Sequence, residues 1–198
     1  MGFFCSIENG EGMRVTGGTG RGLRLKVPSG SRVRPTSDKV KQALFNILGD
    51  RVIDAVFLDL FAGAGGIGIE ALSRGASRVT FVDSSRESLA VVRGNIEQTG
   101  FGGRAHTELL KAETFLKRPS ERYDIIFLDP PYAEEIQPLL ELIAATGKLK
   151  HTGIVIAEHF KKQPSPGQAG SLMRHREARY GDTVLSFYKM SDGPSTDN

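Results

Sequence analysis

Asp129-Pro130-Pro131-Tyr132 is the segment whose residue types and spacing could do chemistry. It follows Tyr123–Leu128, a short apolar run that reads as a buried strand, so the tetrapeptide stands at a strand's carboxyl end. Ligands of open α/β sheets bind along that edge. Two prolines stiffen the backbone and remove two N–H donors, leaving carbonyl oxygens directed outward. An acid beside a rigid carbonyl makes an acceptor pair suited to an –NH2 group, and Tyr132 offers a flat face to a planar ring. Asp129, Pro130, Pro131 and Tyr132 are therefore the candidate catalytic residues, and an amino group on an aromatic base is the chemistry they fit. Asp129 needs only an ordinary, unshifted carboxylate to take a proton after attack.

A second constellation is the turn Asp59-Leu-Phe61-Ala62-Gly63-Ala-Gly65-Gly-Ile-Gly68, with Asp83-Ser84 some twenty residues on. Small residues let backbone approach a ligand closely and let a helix pack on its strand. Gly63-x-Gly65-x-x-Gly68 satisfies the dinucleotide fingerprint, which makes a nicotinamide-dependent dehydrogenase a rival reading. Asp59 tilts the choice, because a carboxylate at the strand tip would repel a pyrophosphate over the helix N-terminus. S-adenosylmethionine carries an ammonium and a sulfonium instead, to which carboxylates are attractive. Asp83 would take the ribose hydroxyls.

These residues need elements to hold them. Strands are expected at Val56–Phe61, Arg78–Val82, Ala105–Leu110, Tyr123–Leu128 and Gly153–Glu158, with helices near Gly66–Arg74, Ser84–Gln98 and Leu139–Ala145. Glu177–Tyr180 and Val184–Lys189 read as a closing antiparallel pair. Alternating βα units imply an α/β fold with a doubly wound, mostly parallel sheet. Ahead of it, Pro35-Thr-Ser-Asp38 signals a helix start, and Arg14–Arg34 reads as a small basic β-hairpin or extended arm. The expected organisation is a disordered leader at 1–12, a basic extension at 13–50, a main domain at 51–190 and a loose tail at 191–198.

The net charge of +3 hides an uneven distribution. Arg14–Lys41 contains eight basic residues against Asp38 alone, so the remainder is mildly acidic. A basic front end suits a polyanionic partner, with Arg14, Arg21, Arg24, Lys26 and Arg32 as phosphate contacts. The lone Cys5 excludes an internal disulfide and points to a reducing cytoplasm. Four scattered histidines lack ligand spacing, so no metal is expected. No apolar run is long enough to span a bilayer.

Val56-Phe-Leu-Asp-Leu-Phe-Ala-Gly-Ala-Gly with the later Asp-Pro-Pro-Tyr resembles the class I S-adenosylmethionine-dependent methyltransferases that act on amino nitrogens. Met13-Arg-Val-Thr-Gly-Gly, Arg34-Pro-Thr-Ser-Asp-Lys-Val-Lys-Gln-Ala-Leu-Phe-Asn-Ile-Leu and Gly68-Ile-Glu-Ala-Leu-Ser-Arg-Gly-Ala narrow the resemblance to the RsmD family, bacterial 16S ribosomal RNA guanine-N2 methyltransferases. The likeness runs from Met13 to about Met190. It implies a Rossmann-like class I fold, S-adenosylmethionine held by Asp59, Phe61, Ala62, Gly63, Gly65, Gly68, Asp83, Ser84 and Ala112, and a small-subunit particle as substrate. It also places Arg34 and Thr36 beside the cofactor's methionine end, although Arg34 could equally bind RNA. One departure is Lys111-Ala112-Glu113, where the family shows an acid before Ala; Lys cannot accept a hydrogen bond, which leaves the adenine to Glu113, a backbone group or packing. A monomer is the expected state. DNA adenine N6, a protein glutamine, and a non-catalytic role in ribosome assembly remain as alternatives.

Overall fold

The computed structural model describes residues 13–28, 37–119, 121–131 and 134–191. Among the described residues five α-helices alternate with the strands: α1 (Asp38–Leu48), α2 (Gly66–Ser73), α3 (Arg86–Thr99), α4 (Ala112–Lys117) and α5 (Ile136–Thr146). The strands are β1 (Val56–Leu60), β2 (Arg78–Asp83), β3 (Ala105–Leu109), β4 (Tyr123–Leu128), β5 (Leu149–Phe160), β6 (Gln168–Ala169), β7 (Leu172–Tyr180) and β8 (Thr183–Met190). They form one sheet in the order β3-β2-β1-β4-β5-β8-β7-β6. β3 to β5 are joined by parallel ladders, and β8 enters antiparallel beside β5. This is the doubly wound sheet with an antiparallel close that the class I methyltransferase fold requires.

Strand alternation divides the core in two. Phe57, Phe81, Ile125, Phe127, Ile154, Ile156, Leu185 and Phe187 face one side with residues of α1, α2 and α3. Leu58, Leu60, Val82, Ile126, Leu128, Val155 and Ala157 face the other with α4 and α5. Runs buried on both faces explain why these strands read as continuous apolar segments. Some boundaries differ from the sequence pattern. β5 starts at Leu149 rather than Gly153, and β7 starts at Leu172, because sheet pairing recruits polar residues that periodicity passes over. α4 lies in a stretch where no helix was expected; its six residues are too few for a periodic signal.

The basic segment is a short hairpin laid on the first face. Arg14 and Arg24 form an isolated antiparallel bridge, and Leu25 N–H donates to the Met13 carbonyl at 2.7 Å. α2 holds the hairpin through a buried acid. The amide and hydroxyl of Thr16 donate to the two Glu70 carboxylate oxygens at 2.7 and 2.8 Å, and Arg74 Nε donates at 2.8 Å. Lys41 Nζ lies 3.8 Å from Glu70 and donates to the Arg14 carbonyl. Gly18 turns at φ 73°, and a Cβ there would sit 1.9 Å from the Ser73 carbonyl oxygen, so only glycine lets the hairpin approach α2.

Candidate active site

The strand order reverses around β1, and the crevice of a doubly wound sheet opens at such a switch, outside the carboxyl ends of the strands. Leu60 pairs with Leu128, so the glycine turn after β1 and Asp129 after β4 leave the sheet at the same level. Asp59, beside Phe127 in the ladder, and Asp129, two residues beyond Phe127, share the first face. The structure thus brings Asp59, Phe61, Ala62, Gly63, Gly65, Asp83, Asp129 and Pro130 to one edge.

The turn is built under constraint. Phe61 adopts φ 64°, rare for a residue with a side chain and of the kind that clusters at ligand sites; Gly63 and Gly65 follow at 55° and 81°. Ala62 N–H donates to the Val82 carbonyl at 3.0 Å and pins the turn to the end of β2. At Gly68 a Cβ would stand 2.2 Å from Phe81 Cε1 and 2.8 Å from Val79 Cγ1. That glycine lets α2 lie directly on β2.

Two amides of this stretch are held by carboxylates. Gly63 N–H donates to Asp83 Oδ2 at 2.8 Å, and Gly68 N–H donates to Asp59 Oδ2 at 2.9 Å. Ser85 N–H takes the other Asp83 oxygen at 2.7 Å. The carboxylates on these amides would repel a pyrophosphate placed over the helix N-terminus, which disfavours the dinucleotide reading. Asp59 is buried, and burial lifts its pKa well above the usual carboxylate range; the charges of Asp129 and Asp83 push the same way against the Gly68 amide. Although part of Asp129 remains accessible, desolvation of its carboxyl raises the pKa to about 7. An unshifted carboxylate would have sufficed for taking the proton; this one is shifted because the acid sits among protein atoms rather than at an open tip. The donor set is acid-rich, and a cationic ligand fits it.

After Asp129, the Pro131 carbonyl accepts Glu134 N–H at 2.8 Å and closes the turn. Gln163 Nε2 donates to the Glu134 carbonyl at 3.1 Å and ties this loop to the end of β5. Pro130 is buried and Pro131 exposed, while Tyr132 lies outside the described residues, as do Arg32, Arg34 and Thr36. Ser84 is exposed beside Asp83, and Ala112 is buried in the first turn of α4. The charges of Glu113 and Lys111 both reach Glu134, so the departing Lys-Ala-Glu stretch borders the loop that follows Pro131.

Arg14, Arg21, Arg24 and Lys26 are all exposed on the hairpin. Arg14 is bound to Asp38 at 2.7 Å. Sequence reasoning missed Asn95, fully buried on α3. Its side chain accepts from Lys26 N–H at 2.8 Å, and donates to the Lys26 and Ala64 carbonyls at 2.9 and 3.0 Å. It clamps the hairpin to the glycine turn, and a lone Asn in an amphipathic helix gives no signal of that. Among the described residues no group of His, Cys, Asp or Glu could hold a metal ion, and no helix is long and apolar enough to cross a membrane.

Comparison with known proteins agrees with this geometry. The model of the family described as Conserved hypothetical protein 95 matches residues 13–189. The chain is 39% identical to YlbH of Bacillus subtilis over 89% of its own length and 98% of that protein. It is 32% identical to the ribosomal RNA small subunit methyltransferase D of Escherichia coli K12, over 89% of each. Among solved structures, yhhF of Escherichia coli superposes with a TM-score of 0.81 at 31% identity, covering 91% of this chain and 98% of that one.

Proposed function

Because this chain belongs to the Conserved hypothetical protein 95 family, the RsmD-type methyltransferases, we propose that it methylates the exocyclic N2 amine of a guanine in 16S ribosomal RNA of the small subunit, with S-adenosylmethionine as donor. The observation that carries this reading is the crevice between β1 and β4. Carboxylates hold the Gly63 and Gly68 amides there, and the register sets Asp129 level with the glycine turn.

When bound, S-adenosylmethionine supplies a methyl carbon activated by its sulfonium charge. Asp59 and Asp83 line the side that receives the donor, and their charge favours a cation there. Each carboxylate has given one lone pair or two to backbone amides and keeps others for the ligand. Asp129 and the Pro130 carbonyl accept the two N–H bonds of the guanine amine. That holds the nitrogen more pyramidal and aims its lone pair, which is otherwise delocalised into the ring. Orienting both reactants in one dry cleft contributes roughly 7–11 kcal/mol in favourable cases. Asp129 takes the proton once the new N–C bond has formed, a transfer that its pKa of about 7 assists. Tyr132 stacks on the target ring, which must be unpaired or flipped to enter. Arg21, Arg24 and Lys26 hold phosphates and set the register of the RNA.

Radiolabel transfer from S-adenosylmethionine, run in parallel on unmodified small-subunit particles and on duplex DNA, tests the substrate. Label confined to the particles is expected. Label on DNA would move the assignment to adenine N6, and cofactor binding without any transfer would leave an assembly factor.

A further inference from the structure

One carboxylate at the reactive edge has no part in the chemistry above. Glu158 closes the apolar run of β5 and is buried, with 9% of its surface exposed. Two registers locate it. In the parallel ladder Leu128 pairs with Ala157, so the next residues, Asp129 just past β4 and Glu158 still within β5, stand side by side. In the antiparallel ladder Glu158 pairs with Leu185, a residue of the first core. Ile154 and Ile156 lie in that same core, whereas Val155 and Ala157 lie in the other. Alternation therefore sets Glu158 on the face that carries Asp59 and Asp129. Its neighbour His159 goes the opposite way, to Ser186 at 2.9 Å. Three acids thus stand on one face at the ends of adjacent strands β1, β4 and β5.

Neighbouring strands are about 4.8 Å apart, and Glu is one methylene longer than Asp, so Glu158 reaches ring atoms next to an amine held by Asp129. The Watson–Crick edge of guanine places a second donor, N1–H, beside its N2 amine. Adenine places a bare acceptor, N1, beside its N6 amine. An acidic acceptor at this point attracts the first arrangement and repels the second. A carboxylate has four lone-pair positions and can serve the base while keeping bonds within the protein.

Resting on the guanine reading given above, we propose that Glu158 is the specificity-determining residue that accepts the guanine N1–H and excludes bases lacking that donor. Asp129 then handles the amine and Glu158 reads the ring. A site built around a donor rejects analogues that lack it strongly, so the discrimination is expected to be on the order of a hundredfold or more.

The test uses the full-length protein and small-subunit particles reconstituted with 2-aminopurine at the modified nucleotide. That base keeps the 2-amino group but has no N1–H and no O6. Wild-type protein is expected to transfer methyl to it at least about a hundredfold more slowly than to guanine. Glu158→Gln is expected to shrink the ratio to within about tenfold, because an amide can accept from guanine or donate to the bare N1. Loss of O6 is common to both proteins, so only the change in ratio reads the N1 contact. An unchanged ratio in a variant that still binds S-adenosylmethionine would overturn the proposal, as would equal use of both bases by wild type. A measurement without any variant uses 6-thioguanine, which keeps N1–H and replaces O6. Its rate is expected to stay near that of guanine, and a loss as large as that of 2-aminopurine would overturn the assignment. Failure of wild type to methylate guanine at all would instead strike the proposed function.

Discussion

Acids on the same face of this sheet are treated in two opposite ways. Glu70, under the hairpin, is wrapped by Thr16, Arg74 and Lys41. Asp59 and Asp129, at the crevice, have other carboxylates as their electrostatic neighbours, and burial raises both pKa values. A buried acid with cations and hydrogen bonds on every oxygen is a fastening. Acids whose described electrostatic neighbours are other acids make a site that favours a cationic ligand. Lys41 completes the contrast: burial lowers its pKa, while Glu70 and Asp38 oppose that shift.

The largest expected effect breaks the fastening. Glu70→Ala leaves Lys41 buried without its main partner and is expected to cost about 3–5 kcal/mol of stability in urea unfolding. A change below about 1 kcal/mol would show that Glu70 is not what docks the hairpin. Asp59→Asn should behave differently. It keeps an oxygen for Gly68 N–H and is expected to retain the fold, yet S-adenosylmethionine should bind on the order of ten- to a hundredfold more weakly in calorimetry. Equal affinity would remove Asp59 from the cofactor site.

Acidity sharpens the same comparison. Asp129 must be ionised to accept both the amine and its proton, and its pKa is raised, so kcat/KM should climb with pH to half its plateau near 7. About one unit below, activity should be near a tenth, and Asp129→Asn should erase the limb. Because Asp59 and Asp129 interact, that limb belongs to the pair of acids. The sign for stability is the reverse. Ionised Asp129 is disfavoured in the folded state, a cost absent below the ordinary value of 3.8 and complete above about 7. Asp129→Asn should therefore raise Tm at pH 8 and leave it unchanged at pH 3. The smallest effect belongs to the hairpin surface. Arg21→Ala and Arg24→Ala should each weaken particle binding a few-fold and lower the salt slope by about one, without changing kcat at saturation.

Much of this was legible in the chain because strands buried on both faces announce themselves. Asp129 and Asp83 end such runs, and the glycines sit where φ and close packing admit little else. What stayed hidden depends on contacts far apart in sequence. Nothing local marks Glu70 as the anchor for Thr16, 54 residues away, or Asn95 as the clamp between Lys26 and Ala64. The raised pKa of Asp129 was equally unreadable, since it reflects how much protein surrounds the carboxyl. Glu158 lay between these cases: its strand was plain, but its face depends on the registers with β4 and β8.

Single-turnover methyl transfer by Asp129→Asn protein saturated with S-adenosylmethionine, on unmodified small-subunit particles with nucleoside mass analysis, reaches the central claim most directly. Wild type should yield N2-methylguanosine, and the variant should bind the donor normally while transferring roughly 10²–10⁴-fold more slowly. Transfer at the wild-type rate, or a methyl group found on a different atom, would contradict the assignment of Asp129 as acceptor for a guanine amine.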